Sequence, residues 1–354
     1  MNIRLDAAKR LLIEKGLDGF IVFKPVNVTY LTGFTGDDSI AIISLNESYF
    51  ITDSRYTEQA YQEIKDFKIV EHKSDIFESV KDCVNMMGIN KLGFEENYIT
   101  FEQYNKLKNM LNVVMKPENS FVESLREIKD DTEIENIKKA QFITDETFKY
   151  FINFVKPGMK EKDVALEMEY YMKKLGADDK SFDFIVASGK RSSMPHGKAS
   201  DKVIGNGDFV TFDYGCKVNG YCSDMTRTIV VGKANEKQRE IYNTVLEAQI
   251  NAINNLKSGM IEKEGDYLAR KIIVERGYGD YFGHSLGHGV GLEIHEKPFM
   301  GPRGTNLLKS GMVVTVEPGI YIPEFSGVRI EDMVLLKEDG VIDLTNSPKE
   351  LIEV

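Results

Sequence analysis

Residues 208–231, DFVTFDYGCKVNGYCSDMTRTIVV, constrain the fold more than any other stretch of this chain. Two β-rich runs flank Asn219-Gly220, a dipeptide suited to a two-residue hairpin loop because both positions tolerate positive φ. With that loop, Asp213 faces Thr226 and Asp224 faces Gly215 across the ladder. The two aspartates then share one face and sit diagonally, roughly 7–8 Å apart at Cα. Like charges so placed repel each other unless a cation lies between them. Taken alone, the pair reads equally well as two solvent-facing aspartates on an edge hairpin, since Asp is depleted in strands without being absent.

Three of the five histidines fall in HSLGHGVGLEIHE, residues 284–296. Gly283, Gly287, Gly289 and Gly291 lie among them. Glycine lets backbone approach a ligand closely and disfavours a helix, so His284 and His288 are not expected to form a helical pair. Three histidines in this setting favour a metal or proton-transfer site. GMVVTVEPGIYI, residues 311–322, is an apolar strand that ends on Glu317 before Pro318-Gly319. A carboxylate among valines is costly unless it is paired or metal-bound. GVRIEDMVLL, residues 327–336, repeats the situation with Glu331, although Arg329 two residues away also allows a plain Arg–Glu pair. SSMPHGKAS, residues 192–200, presents His196 in a turn-rich loop and by itself says little.

The rest of the chain supplies a frame for these motifs. At 354 residues two domains are expected, with a core large enough to need no disulfide or structural metal. In the first third, Leu5, Ala8, Leu11 and Leu12 recur at helical spacing and Gly16 closes that helix. A strand over 19–23, a hairpin over 40–44 and 49–53 around Asn46, a helix near 54–65, a strand over 91–95 and a helix over 101–111 follow. This is a small α/β domain. A charged stretch near 122–128 then leads into a long helix carrying Ile134, Ile137, Ala140 and Phe142. The boundary is set so that residues 1–125 form the first domain and 126–354 the second. Beyond it, strands and helices mix without regular βαβ alternation, which argues for an α+β domain.

Composition removes several functions. A net charge of -11 argues against nucleic-acid binding, which rests on Lys and Arg neutralising phosphates. No stretch reads as a signal peptide or a membrane span, so a cytoplasmic protein with no membrane partner is expected. Cys83, Cys216 and Cys222 have no metal or disulfide spacing and read as small buried hydrophobes. No serine nucleophile elbow or P-loop is present, and GHGVG lacks the strand-then-helix context of a phosphate loop. Asp213, Asp224, Glu317, Glu331 and one imidazole would suit Mn²⁺, Co²⁺, Fe²⁺ or Zn²⁺, and four carboxylate charges would balance two such ions. Two ions about 3.5–4 Å apart support metal-assisted hydrolysis of an acyl bond.

Taken in order, the two aspartates, H-S-L-G-H-G-V-G-L-E-I-H-E, V-E-P-G-I-Y and R-I-E-D resemble the Xaa-Pro peptidases, the prolidase and aminopeptidase P group of pita-bread metallopeptidases. The resemblance covers the second domain. It extends more weakly to NVTYLTGFTG (27–36) and ITDSRYTEQA (51–60), which look like that group's N-terminal, creatinase-like domain. It implies a pita-bread catalytic domain that cleaves the Xaa-Pro bond of dipeptides or short peptides by attack of a metal-bridging hydroxide. It also implies two metal ions, Mn²⁺ foremost, and a homodimer. The implied metal ligands are Asp213, Asp224, His288, Glu317 and Glu331, with Asp224 and Glu331 bridging. His196 and His295 would act on the substrate carbonyl and the tetrahedral intermediate, Glu317 would shuttle the proton, and Arg329 would orient the bridging acids. His284 and Tyr321 would lie near the substrate. Arg191 and Arg303 are candidates to bind a dipeptide carboxylate, although surface arginines are the simpler reading. Methionine aminopeptidases lack the N-terminal domain and creatinase-type hydrolases lack the full ligand set. A non-catalytic peptide-binding module would be expected to have lost ligands.

Overall fold

The computed structural model describes residues 2–354, and the chain divides into two compact units bounded as Met1–Arg126 and Glu127–Val354. The first unit is built on one six-stranded sheet. Its order is Lys68–Glu71, Ser48–Thr52, Ser39–Ser44, Gly19–Val22, Lys91–Glu95, Val114–Glu118. The expected hairpin is present, with Ile42 opposite Tyr49 in an antiparallel pair, whereas Gly19–Val22 runs parallel to Lys91–Glu95. The first helix, Ile3–Lys15, starts at the Asn2 cap and ends at Gly16, whose φ of 63° is the left-handed cap that glycine favours. Ile21, Ile42, Ile51, Val80, Val84 and Leu92 form the core between sheet and helices.

The helix Pro25–Thr32 does not follow from the sequence, because VNVTYLT is rich in strand-forming residues. Proline at its first turn, together with the Glu95 carboxylate, overrides that preference. Glu95 accepts from the backbone of Phe23 at 2.7 Å and Lys24 at 2.9 Å and from the Asn27 side chain at 2.6 Å, so the start of the helix is fixed from across the sheet.

In the second unit every named strand pair is antiparallel. The long helix Asp131–Phe154 begins in a capping box between Asp130 and Glu133. Ile134, Ile137 and Ala140 face inward as expected, but Phe142 is 62% exposed. The apolar stripe runs through Ile143 instead, since a step of two residues from Ala140 leaves the helix face. Asp131–Phe154 and Glu161–Lys174 cover one face of the sheet Ile185–Ser188, Phe209–Tyr214, Met225–Val230 through Phe151, Met168, Val210 and Phe212. Glu236–Asn255 and Glu262–Glu275 pack a second core against Val314, Val316 and Val334.

The hairpin register is the one the Asn219-Gly220 loop requires. Asp213 pairs with Thr226 and Val218 with Tyr221. Asn219 and Gly220 both have positive φ, 50° and 81°. Alternation puts Phe212 and Ile229 toward the helices and leaves Thr211, Asp213, Thr226 and Thr228 on the other face. That polar face is where the site lies. All three cysteines are free and buried, and burial pushes the Cys222 thiol up to about 12. Among the described residues no helix is long and apolar enough to cross a membrane.

Candidate active site

A cavity of about 520 Å³ opens in the second unit, and Asp213, Asp224, His288, Glu317 and Glu331 all line it. Asp213 projects from mid-strand, but Asp224 does not. It sits where the hairpin breaks between Tyr221–Cys222 and Met225–Val230. Opposite it is Gly215, where a Cβ would lie 1.9 Å from the Ser223 carbonyl oxygen. The missing side chain lets the two strands close there, and Ser223 Oγ takes the Cys216 N–H at 2.9 Å. The register survives the break while Asp224 is aimed into the cavity.

His288 lies on the short strand Gly287–Gly289, between Glu296–Met300 and Val313–Val316. At Gly287 a Cβ would lie 2.0 Å from the Thr315 carbonyl, so only glycine permits this approach. The register shifts between His288 and Gly289, and such irregularities re-aim a side chain. Thr315 Oγ1 accepts the His288 N–H at 3.0 Å and donates to Glu317 Oε1 at 3.1 Å, linking the two residues through one hydroxyl. Glu317 follows its strand, and its backbone N–H is held by Leu286 O at 2.8 Å. Glu331 receives Thr226 Oγ1 at 2.6 Å, and its N–H bonds Thr226 O at 3.1 Å.

Asp224, His288 and Glu331 bring one ligand atom each within 4.8 Å of one another. His288 Nε2 is 3.6 Å from Asp224 Oδ2 and 3.4 Å from Glu317 Oε1. Asp213 joins through Arg329, whose Nη2 donates to its Oδ2 at 2.6 Å. Thus the plain Arg329–Glu331 pair, one reading of the sequence, does not form; the arginine turns to Asp213. Burial, reinforced by Glu331, Asp213 and Glu317, pushes the Asp224 carboxyl far above its ordinary range. Burial and the charges of Glu317 and Asp213 do the same to Glu331. Burial raises Glu317 to about 8 against the opposing pull of Arg329. Burial and the nearby His295 lower His288 to about 4, so it is a neutral donor. Asp224 Oδ1 is buried with no hydrogen-bond partner. Crowded acids that disfavour their own charge, a neutral imidazole and an orphaned carboxylate oxygen are what a divalent cation would relieve.

The remaining singled-out residues surround this cluster. His295 meets His288 edge-on with ring centres 4.3 Å apart, and His196 and His284 also line the cavity. Tyr321 backs the cavity wall through His284 and Arg329. Its hydroxyl takes Arg329 Nη1 at 2.7 Å and meets His284 Nε2 at 2.9 Å. Burial and the neighbouring Arg329 lower His284 to about 4. Arg191 is not free for a substrate. It pairs with the buried Glu161 and donates to Lys198 O at 2.8 Å. Glu161 also accepts the backbone N–H groups of Ser188 at 2.8 Å and Ser200 at 3.1 Å, closing the loop that presents His196. Arg303 is exposed and off the cavity wall. Sequence reasoning passed over Thr226 and Thr315. Thr226 was discoverable as the partner of Asp213 across the hairpin; Thr315 carried no local signal.

Residues 135–338 match metallopeptidase family M24, and residues 4–128 match the Creatinase/Prolidase N-terminal domain. The chain is 44% identical over 357 residues to the Xaa-Pro dipeptidase of Pyrococcus furiosus, covering 99% of this chain and 100% of that one. Its structure is similar to that of the Xaa-Pro dipeptidase from Bacillus anthracis, with TM-score 0.98, 46% identity and 99% of each chain covered. It is also similar to the X-Pro aminopeptidase from Thermotoga maritima, with TM-score 0.93, 40% identity and 99% of each chain covered. The chain is a metallopeptidase of family M24, a pita-bread catalytic domain preceded by a creatinase-type N-terminal domain.

Proposed function

We propose that this chain hydrolyses the bond between a first residue and a following proline, with two divalent cations, Mn²⁺ foremost, held by Asp213, Asp224, His288, Glu317 and Glu331. The observation that carries the reading is the buried, unpartnered Asp224 Oδ1 inside a cluster of acids raised by burial and by one another. When bound, the two ions supply a hydroxide nucleophile and polarise the scissile carbonyl. Glu317 lines the same cavity, where it would take a proton and return it to the proline nitrogen. His295 and His196 face the same cavity and can donate to the carbonyl oxygen as it gains charge. Arg329 holds Asp213 and the Tyr321 hydroxyl in place. Phe182, Ile185, Ile294 and Phe299 give the cavity an apolar side suited to a pyrrolidine ring, and a bond to proline lacks the N–H that other peptidases bind.

Relatives named for dipeptides and for aminopeptidase activity are similar to this chain to nearly the same degree. One residue favours the dipeptide. Arg329 and Lys198 are the Lys or Arg side chains on the cavity wall, and Arg329 is spent on Thr226, Tyr321, Pro195 and Asp213. Lys198 is 73% exposed and bonds Asp183 at 2.8 Å. Such exposed pairs contribute little and exchange readily for a substrate carboxylate.

The test is hydrolysis of Xaa-Pro, Xaa-Pro amide and Xaa-Pro-Yaa by metal-stripped protein with and without Mn²⁺. Mn²⁺-dependent cleavage of Xaa-Pro is expected. Lys198→Met should raise KM for the dipeptide roughly tenfold and leave the amide unchanged. Release of the first residue from Xaa-Pro-Yaa at equal efficiency would instead make the chain an aminopeptidase. No cleavage with any divalent ion would contradict the reading and favour a peptide-binding module.

A further inference from the structure

Arg227 is one of the largest fully buried side chains of the protein, 1% exposed, yet it belongs to neither the cavity wall nor the acid cluster. It points to the opposite face of the hairpin from its neighbour Thr226. There its guanidinium is fully used. Nε donates to Pro348 O at 2.9 Å. Nη1 donates to Thr226 O at 3.0 Å and to Glu331 O at 2.6 Å. Nη2 donates to Asp332 Oδ1 at 2.7 Å and to Ser347 O at 2.8 Å. Asp332 directly follows Glu331, and its other oxygen accepts Gln249 Nε2 at 2.5 Å and pairs with Lys349. Glu331 is therefore gripped twice. Thr226 holds its carboxylate from the cavity side, and Arg227 holds its carbonyl oxygen and the next residue from behind.

The grip extends to the end of the chain. Ser347 O and Pro348 O complete the Arg227 fork, and Lys349 bridges Asp332 and Asp343, the latter at 2.7 Å. Asp145 on the helix Asp131–Phe154 secures the same segment, accepting Asn346 N at 3.0 Å and Ser347 N at 2.9 Å. Buried Arg227 and half-buried Lys349 lie among three carboxylates, Asp332, Asp343 and Asp145, and many charge-assisted bonds fix the geometry.

We propose that Arg227 and Asp332 are a positioning pair for Glu331, and that Ser347 and Pro348 are tied through Arg227 to the affinity of the site for its divalent ion. The inference rests on the reading of Glu331 as a metal ligand. Neither residue touches substrate or ion; they set where the Glu331 backbone lies, and hence where its carboxylate points. Outer partners of this kind typically change metal affinity by about 10–100-fold when altered.

The experiment measures Mn²⁺ dissociation constants by competition with a chromogenic chelator, together with the melting temperature of the metal-free protein. The proteins are wild type, Arg227→Lys, Asp332→Asn and Lys349→Met. Arg227→Lys keeps the charge but loses the fork, and should weaken Mn²⁺ binding about 10–100-fold, as should Asp332→Asn. Saturating Mn²⁺ should restore most of kcat in both. Lys349→Met leaves every bond of Arg227 in place. It should lower the melting temperature yet keep Mn²⁺ affinity within about twofold, because it removes a partner without moving Glu331. Folded Arg227→Lys and Asp332→Asn proteins with wild-type Mn²⁺ affinity would overturn the proposal. If neither folds, Asp145→Asn decides: it holds Ser347, whose carbonyl completes the Arg227 fork, and should still weaken Mn²⁺ binding a few-fold, and unchanged affinity overturns the coupling through Ser347. Wild-type protein that takes up no Mn²⁺ would instead overturn the metal reading itself.

Discussion

Asp224 shows what the site demands of a single side chain. One oxygen lies 3.6 Å from His288 Nε2 and the other is buried without a partner, in the company of three more acids. In the metal-free protein this arrangement opposes folding, and removing its charge should help. Asp224→Asn is expected to raise the melting temperature of metal-free protein and to weaken Mn²⁺ binding by more than about 100-fold. Calorimetry and a binding titration on the same sample check both signs; a lower melting temperature with unchanged Mn²⁺ affinity would make Asp224 an ordinary structural aspartate. The pH dependence has a definite direction as well. Glu317 has a folded value of about 8 against an ordinary 4.5, so between these the folded state holds more protons and stability falls as pH rises. His288 and His284, lowered to about 4 from 6.5, act in the opposite direction, but only up to pH 6.5. From pH 6.5 to 8 the acids alone remain. The melting temperature of metal-stripped protein should therefore fall across that window and should stop falling when Mn²⁺ is saturating. A flat or rising profile without metal would contradict the crowded-acid account.

At the scale of elements, the site depends on how closely strands approach. A Cβ at Gly287 would lie 2.0 Å from the Thr315 carbonyl oxygen, so no side chain fits where the strand bearing His288 meets Val313–Val316. Gly287→Ala is expected to cost about 1–3 kcal/mol or more through overpacking, read by denaturant unfolding. Mn²⁺ affinity should weaken with it, because the strand that moves carries His288, the proposed ligand; full affinity in a destabilised variant would contradict this. These elements were legible to different degrees. The Asn219-Gly220 turn fixed the hairpin register, and with it the facing of Asp213 and Thr226, because a two-residue loop leaves no freedom of pairing. The same turn did not reveal the break at Ser223 that aims Asp224, since the break depends on a hydroxyl bonding across the ladder. The helix Pro25–Thr32 was hidden because a distant carboxylate, Glu95, overrides local preference. Phe142 was misplaced on the buried stripe because apolar character alone does not report helix phase. Arg191 is taken by the buried Glu161, a partner on another element that no local pattern reveals.

For the whole molecule, every residue assigned to the site lies within Glu127–Val354, which has two cores of its own. A chain beginning at Glu127 is therefore expected to fold and to bind Mn²⁺ with an affinity within about tenfold of the full protein. Circular dichroism and titration check this, and a fragment that folds yet binds no metal would place a necessary group in Met1–Arg126. Five carboxylates, Asp183, Asp213, Asp224, Glu317 and Glu331, line that single cavity. The direct test of the central claim is a count of bound Mn²⁺ against hydrolysis of a Xaa-Pro dipeptide in metal-stripped protein. Two ions per chain are predicted, with activity appearing as they bind and with Asp224→Asn and Glu331→Gln each abolishing both. Full hydrolysis by protein that holds no divalent ion, or undiminished binding and activity in those two variants, would contradict it.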